Sequence, residues 1–508
     1  MNKALAQRFE WLDWNKTLNI VLAVALLLAL RPMSNVTPRV QPVLLELAAA
    51  RPDEVVSVIM QKAVKDTTVE EWVARRGGKI TRDLHIINAI AAELPAQAAV
   101  ELAREPSIRW VSLDAPMVES GELITTTSAS TGSTVAAQPA NVYPATIKVD
   151  QVWTTTAGAL QGQGMVVAVI DSGINAKHPD FLDSQGQSRV VASVYLNSAT
   201  QDTNDYYGHG THVAGIIGGN GQASGGAFIG VAPQVNLVNV KVSDDAGNVT
   251  TSDVVNGMQW VLDHASQYNI RVVNLSVNSS LNQSYDVDPL DAAAEILWFN
   301  KIVVVTAAGN LGKHALYPPA NDPFVITVGA ADDKGTPKVG DDTVAGFSAY
   351  GKTTDGFAKP DLVAPGVNLV STLASPGAIL AQAHADHMVS GTAPTPAYFR
   401  MSGTSTASPV VAGAAALILQ QNPSLTPDQV KYRLMNTTQS SVKKDAKATG
   451  AGYLDAFAAV TWTSIESANT GTPASHLLWT GPTPLNWTSA NWGSANWGSA
   501  NWGGDFWD

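Results

Sequence analysis

The sequence predicts an α/β fold: a doubly wound, mostly parallel sheet preceded by a small α+β domain. Three observations carry this expectation. From about residue 145, apolar runs alternate with helix-forming stretches. Those runs are apolar at every position, which suits strands buried on both faces of a parallel sheet. Ahead of them, about 60 residues read β-α-β-β-α-β.

In chain order, "LNIVLAVALLLAL" (Leu18–Leu30) comes first, after Lys3, Arg8 and Lys16. As a helix it spans about 20 Å, short of the roughly 30 Å hydrocarbon core, so 1–32 reads as a signal peptide for export. A retained membrane anchor is the other reading. After a Pro-bearing spacer, the small domain (50–116) takes "VVSVIM" and "HIINAIAAELP" as apolar strands and "SIRWVSLDAP" as its last strand. "TVEEWVARRGG" and "AQAAVELARE" are its helices, by apolar spacing and terminal Gly or Pro. This is a ferredoxin-like pattern. "SGELITTTSASTGSTVAAQPA" then reads as a flexible linker within 117–144.

The large domain, 145–462, has "MVVAVI", "VNLVNVKV", "VVNLSV", "IVVVTA" and "FVITVGA" as strands. "SDVVNGMQWVLDHASQYN" and "DAAAEILWFN" are helices between them. A late helix opens on "TPDQ", with Thr426 as N-cap, Pro427 in the first turn and Gln429 closing a capping box. In the C-terminal extension, 463–508, "SANWG" occurs three times and Trp487, Trp492, Trp497, Trp502 and Trp507 recur every five residues. That period gives neither a strand nor a helix one aromatic face. The tail therefore reads as disordered low complexity, or as an aromatic ribbon for a surface or glycan.

Lys plus Arg total 31 against 43 Asp plus Glu, a net charge of −12, which points away from nucleic acid as a partner. With no cysteine, disulfides, thiolate catalysis and Cys-type zinc sites are excluded. Export is not, because a large core needs no covalent staples.

Four residues carry candidate chemistry. Asp171 follows the strand "MVVAVI", where ligands meet an open α/β sheet, though Asp is also an ordinary turn residue. "YYGHGTHVAGIIGG" offers His209 and His212; they lack the spacing of a zinc motif. His212 runs into an apolar helix and reads as packed. His209, between Gly208 and Gly210, is the better general base. Asn310 leaves the end of "IVVVTAAGN" as an amide donor at the sheet rim. Ser405 begins "TASPVVAGAAALIL", where the helix dipole favours developing negative charge.

"VVAVIDSGI", "GHGTHVAGII", "VVVTAAGN" and "SGTSTASPVVAGAAALI" resemble the four signature segments of the subtilisin-like serine proteases (subtilases), in the same order, across about residues 145–460. The resemblance implies a subtilisin-like fold and a secreted serine endopeptidase acting on proteins or peptides. Ser405 would be the nucleophile, His209 the base and Asp171 its orienting acid, with Asn310 in the oxyanion hole. It also implies that the small domain is an inhibitory propeptide, an intramolecular partner removed by self-cleavage within the linker. The family's Ser-x-Gly substrate strand here reads Ser276-Val277-Asn278, with Gly309 as a further substrate contact. Asn278 is expected to tolerate a positive φ in place of Gly. Residues 376–400 form an insertion, either a flap over the cleft or a surface loop; the loop is the favoured reading. No cofactor is expected. "GGNGQASGGAFIGVAP" lacks the carboxylates a calcium site needs, and Asp202, Asp205, Asp244 and Asp245 read as solvated loop acids. The rival reading is a catalytically idle scaffold that binds a surface through its Trp-rich tail.

Overall fold

The computed structural model describes residues 39–119, 140–155, 159–440 and 447–478. The apolar run at 18–30, most of the linker, and the SANWG tail lie outside the described residues.

The small domain begins earlier than the sequence suggests. Helix α1 (Pro42–Ala50) buries Leu44 and Ala48 in the small-domain core. β1 (Val55–Lys62), α2 (Thr68–Arg75), β2 (Lys79–Leu84), β3 (Ala89–Pro95), α3 (Ala96–Leu102) and β4 (Ile108–Leu113) follow. The strands form one antiparallel sheet in the order β2-β3-β1-β4. β2, "KITRDL", is an edge strand with only Leu84 buried, so no apolar run announces it. His85–Ile87, expected to begin a strand, is a 3₁₀ turn; β3 starts after Asn88, which turns with φ 50°.

Met117–Glu119 (β5) is also ordered, so the linker does not begin at 117. The large sheet uses β6 (Val166–Asp171), β7 (Val190–Tyr195), β8 (Asn236–Lys241), β9 (Ile270–Leu275), β11 (Val303–Ala307), β12 (Ile326–Asp332), β13 (Thr343–Val344) and β14 (Leu362–Pro365). The path β7-β8-β6-β9-β11-β12-β14 is parallel throughout, and only β13 adds antiparallel to β12. β6 and β11 are buried at every position, as their unbroken apolar runs require, while edge strand β7 alternates.

Helices α4 (His209–Gly218), α5 (Thr251–Tyr268), α6 (Pro289–Phe299) and α7 (Thr404–Gln421) pack on the sheet or on one another. α8 (Pro427–Asn436) starts with the Thr426–Gln429 capping box, and α5 has the equivalent box from Thr250 and Asp253. Such caps contribute about 1 kcal/mol each. The C-terminal extension does not leave the fold at 463: Ala474, Leu477 and Leu478 join the main core. Among the described residues, no helix is long and apolar enough to cross a membrane.

Candidate active site

Asp171 ends β6 at the carboxyl edge of the sheet, and His209 opens α4 beside it; both are buried. His209 Nδ1 lies 2.8 Å from Asp171 Oδ1, which also accepts the Ser172 N–H at 2.7 Å. A carboxylate can only accept, so the proton of this bond sits on Nδ1 and Nε2 is the basic nitrogen. Two glycines permit the approach. Gly208 turns the chain into α4 with φ 107°, in the left-handed region. A Cβ on Gly210 would stand 2.3 Å from the Gly173 carbonyl oxygen and 3.0 Å from Asp171 Oδ1.

Asp205, expected to be a solvated loop acid, is instead buried against the start of α4. It accepts the N–H groups of Gly208 at 2.7 Å and Thr211 at 2.8 Å, and the Ser172 hydroxyl at 2.9 Å. Ser172 Oγ in turn accepts the Gly210 N–H at 2.9 Å. The carboxylate thus replaces the donors' water at the positive end of the helix. Burial raises the Asp205 carboxyl above its ordinary range, opposed by those amide donors and reinforced by nearby Asp171. The sequence carried no capping signal for it: Asp205 stands four residues before His209, whereas an acid marks a helix start at the N-cap or in the first turn, and here the N-cap is Gly208.

His212 lies one turn on, and its Nε2 faces the Leu369 and Phe399 carbonyls at 3.2 and 3.0 Å. Burial pushes its imidazole down to about 3, so it is neutral near pH 7, and its Nε2 is spent on the two carbonyls.

Ser405 is the second residue of α7, fully buried, and its Oγ makes no hydrogen bond among the described residues. The helix start is fixed to the loop after β11. Thr404 donates its N–H and hydroxyl to Asn310 Oδ1 at 2.9 and 3.0 Å, which orients the Nδ2 end of that amide as the donor end. Gly309, with φ 103°, donates its N–H to Thr404 Oγ1 at 3.0 Å. Ser276 is buried under the same helix start: its Oγ lies 3.2 Å from the Ser405 carbonyl oxygen and 3.1 Å from Ser408 Oγ. Its side chain braces α7 rather than facing a cleft.

Val277 and Asn278 form β10 (Val277–Ser279), which pairs antiparallel with β5: Val277 opposite Glu119, Asn278 opposite Val118, Ser279 opposite Met117. The expected positive φ at Asn278 does not occur. The strand stays extended, and Asn278 Nδ2 instead donates to the Ala307 carbonyl at 3.0 Å. An extended residue needs no glycine.

The 376–400 insertion is not a loose surface loop. Ile379–Ala383 is a short helix, and β16 (Met388–Ser390) and β17 (Pro396–Met401) form a sheet with β15 (Leu369–Thr372). Ile379 and Leu380 donate N–H groups to the Tyr206 and Tyr207 carbonyls at 2.9 and 3.0 Å, just before His209. The tip is held by the Thr392 N–H on the Ala223 carbonyl at 2.7 Å, and Tyr398 by its hydroxyl on Asp180 at 2.8 Å. The insertion therefore packs against the segment that leads into α4. Among the described residues, no group of three or more His, Cys, Asp or Glu is arranged to hold a metal ion.

Four segments distant in sequence thus converge at one sheet edge, and the Subtilase family matches residues 162–453, more than half of the chain. The chain belongs to the subtilase family, the subtilisin-like serine peptidases. It is 40% identical to serine protease AprX of Bacillus subtilis over 308 residues, 58% of this chain and 66% of AprX. It is 31% identical to subtilisin NAT of Bacillus subtilis subsp. natto over 379 residues, 74% of this chain and 82% of that one. The fold is similar to that of fervidolysin from Fervidobacterium pennivorans (TM-score 0.61, 24% identity), across 81% of this subtilase and 61% of that chain.

Proposed function

We propose that this subtilase is an exported serine endopeptidase made as a self-processing zymogen. The observation that carries the reading is the Asp171–His209 hydrogen bond of 2.8 Å, next to a helix start that Asn310 locks through Thr404. In the proposed reaction, Ser405 Oγ attacks the peptide carbonyl carbon and its proton passes to His209 Nε2. The carbonyl oxygen becomes an oxyanion held by Asn310 Nδ2 and the Ser405 N–H. Collapse breaks the C–N bond, and His209 returns the proton to the leaving amine. Asp171 stabilises the imidazolium between these steps. Water then hydrolyses the acyl-enzyme by the same route, with His209 again taking and returning the proton. No cofactor enters this scheme.

The propeptide role rests on how the small domain is joined to the rest. β5 lies as an extended edge strand on β10, the posture of a bound peptide. Asp114 caps α5, accepting the Ser252 N–H and hydroxyl at 2.7 Å each, and Arg82 pairs with Asp253. Docked this way, the small domain covers β10 until it has been cut from the chain beyond Glu119 and released. Export rests on Lys3, Arg8, Lys16 and the run 18–30.

The test is Ser405→Ala expressed in cells without other proteases. An uncut chain near 53.3 kDa supports self-processing. Mature enzyme appearing from that variant contradicts it.

A further inference from the structure

The residues after 462 lie beyond the stretch matched by the family, yet they are held closely. Asn469 Nδ2 donates to Asp428 at 2.7 Å, and the Tyr285 hydroxyl donates to the Pro473 carbonyl at 3.0 Å. The Ser475 N–H reaches the buried Glu295 carboxylate at 2.9 Å, and Ser475 Oγ donates to the Asp286 carbonyl at 2.9 Å. These contacts deliver Leu477 to the small domain. There its carbonyl oxygen accepts from Gln61 Nε2 on β1 and from Arg109 Nη1 on β4, each at 2.7 Å. Gln61 is 2% exposed, Leu477 4% and Leu478 2%. Both leucines belong to the core cluster that also holds Ile59, Ile86 and Ile87 of the small domain.

One carbonyl with both lone pairs used, one of them by a guanidinium, is a directed contact. If the carbonyl were withdrawn, a nearly buried amide and a partly buried charge would each lose an acceptor. We infer that residues 474–478 are a second docking surface for the small domain, distinct from β10, which holds it after the chain is cut and so delays activation. This rests on the propeptide reading above. β10 is engaged through β5, next to the expected cut, whereas Leu477 grips the sheet of the small domain itself. The C-terminal extension thereby joins inhibition without touching the catalytic residues.

The experiment follows processing on gels and the lag before activity in five forms of the chain, each carrying both domains. They are wild type, a chain ending at Leu478, a chain ending at Pro473, Arg109→Met, and Arg109→Met in the Pro473-ended chain. Ending at Leu478 should leave the lag unchanged. Ending at Pro473, or Arg109→Met alone, should shorten it on the order of tenfold. The combined form should be no faster than the Pro473-ended chain, because both changes remove one contact. Arg109→Met leaves the catalytic domain unaltered, so it decides the matter even if the shortened chain fails to fold. Wild-type lags in the cut Pro473-ended and Arg109→Met forms, or strictly additive effects, overturn this inference alone. A wild-type chain that is never cut overturns the propeptide reading and this inference with it.

Discussion

Two groups of buried acids sit in the large domain and behave differently. At the edge of the sheet, Asp171 and Asp205 face donors aimed at individual oxygens: an imidazole nitrogen, a hydroxyl and the first amides of α4. Around α6, Asp288, Asp291, Glu295 and Asp322 are buried, and burial raises all four carboxyls; repulsion from neighbouring acids adds to this at Asp288, Asp291 and Glu295, whereas Lys359 and Lys431 oppose it at Asp322. Asp288 caps α6 and Asp322 accepts the Phe324 and Val325 amides. Among the described residues, no imidazole or serine hydroxyl hydrogen-bonds to that second group, so it has nothing to activate. A buried carboxylate becomes a candidate for catalysis through the partner it orients, not through burial.

Substitutions should separate the two groups, the larger effects falling at the sheet edge. His209→Ala should lower kcat/KM by roughly 10⁶, and Asp171→Asn by roughly 10⁴, magnitudes known from other serine proteases. Steady-state kinetics on a peptide substrate measures both. Asn310→Ala should cost roughly 10²–10³ in kcat with KM nearly unchanged, because its amide would meet charge that develops only in the transition state.

Asp205→Asn keeps the shape but turns an amide N–H toward donors. It should lower kcat by up to about 10² through a shifted His209, with KM within about twofold. A KM rise without a kcat loss would remove Asp205 from the positioning network.

Asp291→Asn sharpens the comparison from the other side. Raised carboxyls bind protons more tightly when folded, so their contribution to stability is full below the ordinary value of 3.8 and is lost as pH rises. For Asp288 and Asp322 that loss runs through about 6. Removing the Asp291 charge should therefore raise Tm at pH 8 by about 3 °C, leave it unchanged at pH 3, and leave kcat/KM within about twofold. Thermal melts at the two pH values check the sign.

Much of this was legible in the sequence, because unbroken apolar runs and helix caps are local signals. "MVVAVI" and "IVVVTA" are buried at every position described in their strands, and "TPDQ" forms its box. The misreadings share a cause: their settings are made by distant residues. Asp205 looks solvated until the Ser172 hydroxyl, 33 residues away, meets it beside the first amides of α4. Asn278 seemed to need a glycine-like backbone because its partner, the Ala307 carbonyl 29 residues away, could not be seen. β2 carries no apolar run because it is an edge strand, and the extension seemed loose until Glu295 and Gln61 met it.

The central claim is that His209 activates Ser405, and a serine-directed fluorophosphonate tests it most directly. Peptide mapping of the labelled, processed enzyme should find one adduct, on Ser405, and His209→Ala should lose nearly all labelling. An unlabelled Ser405 in folded, processed wild type, or equal labelling with His209 removed, would contradict the account.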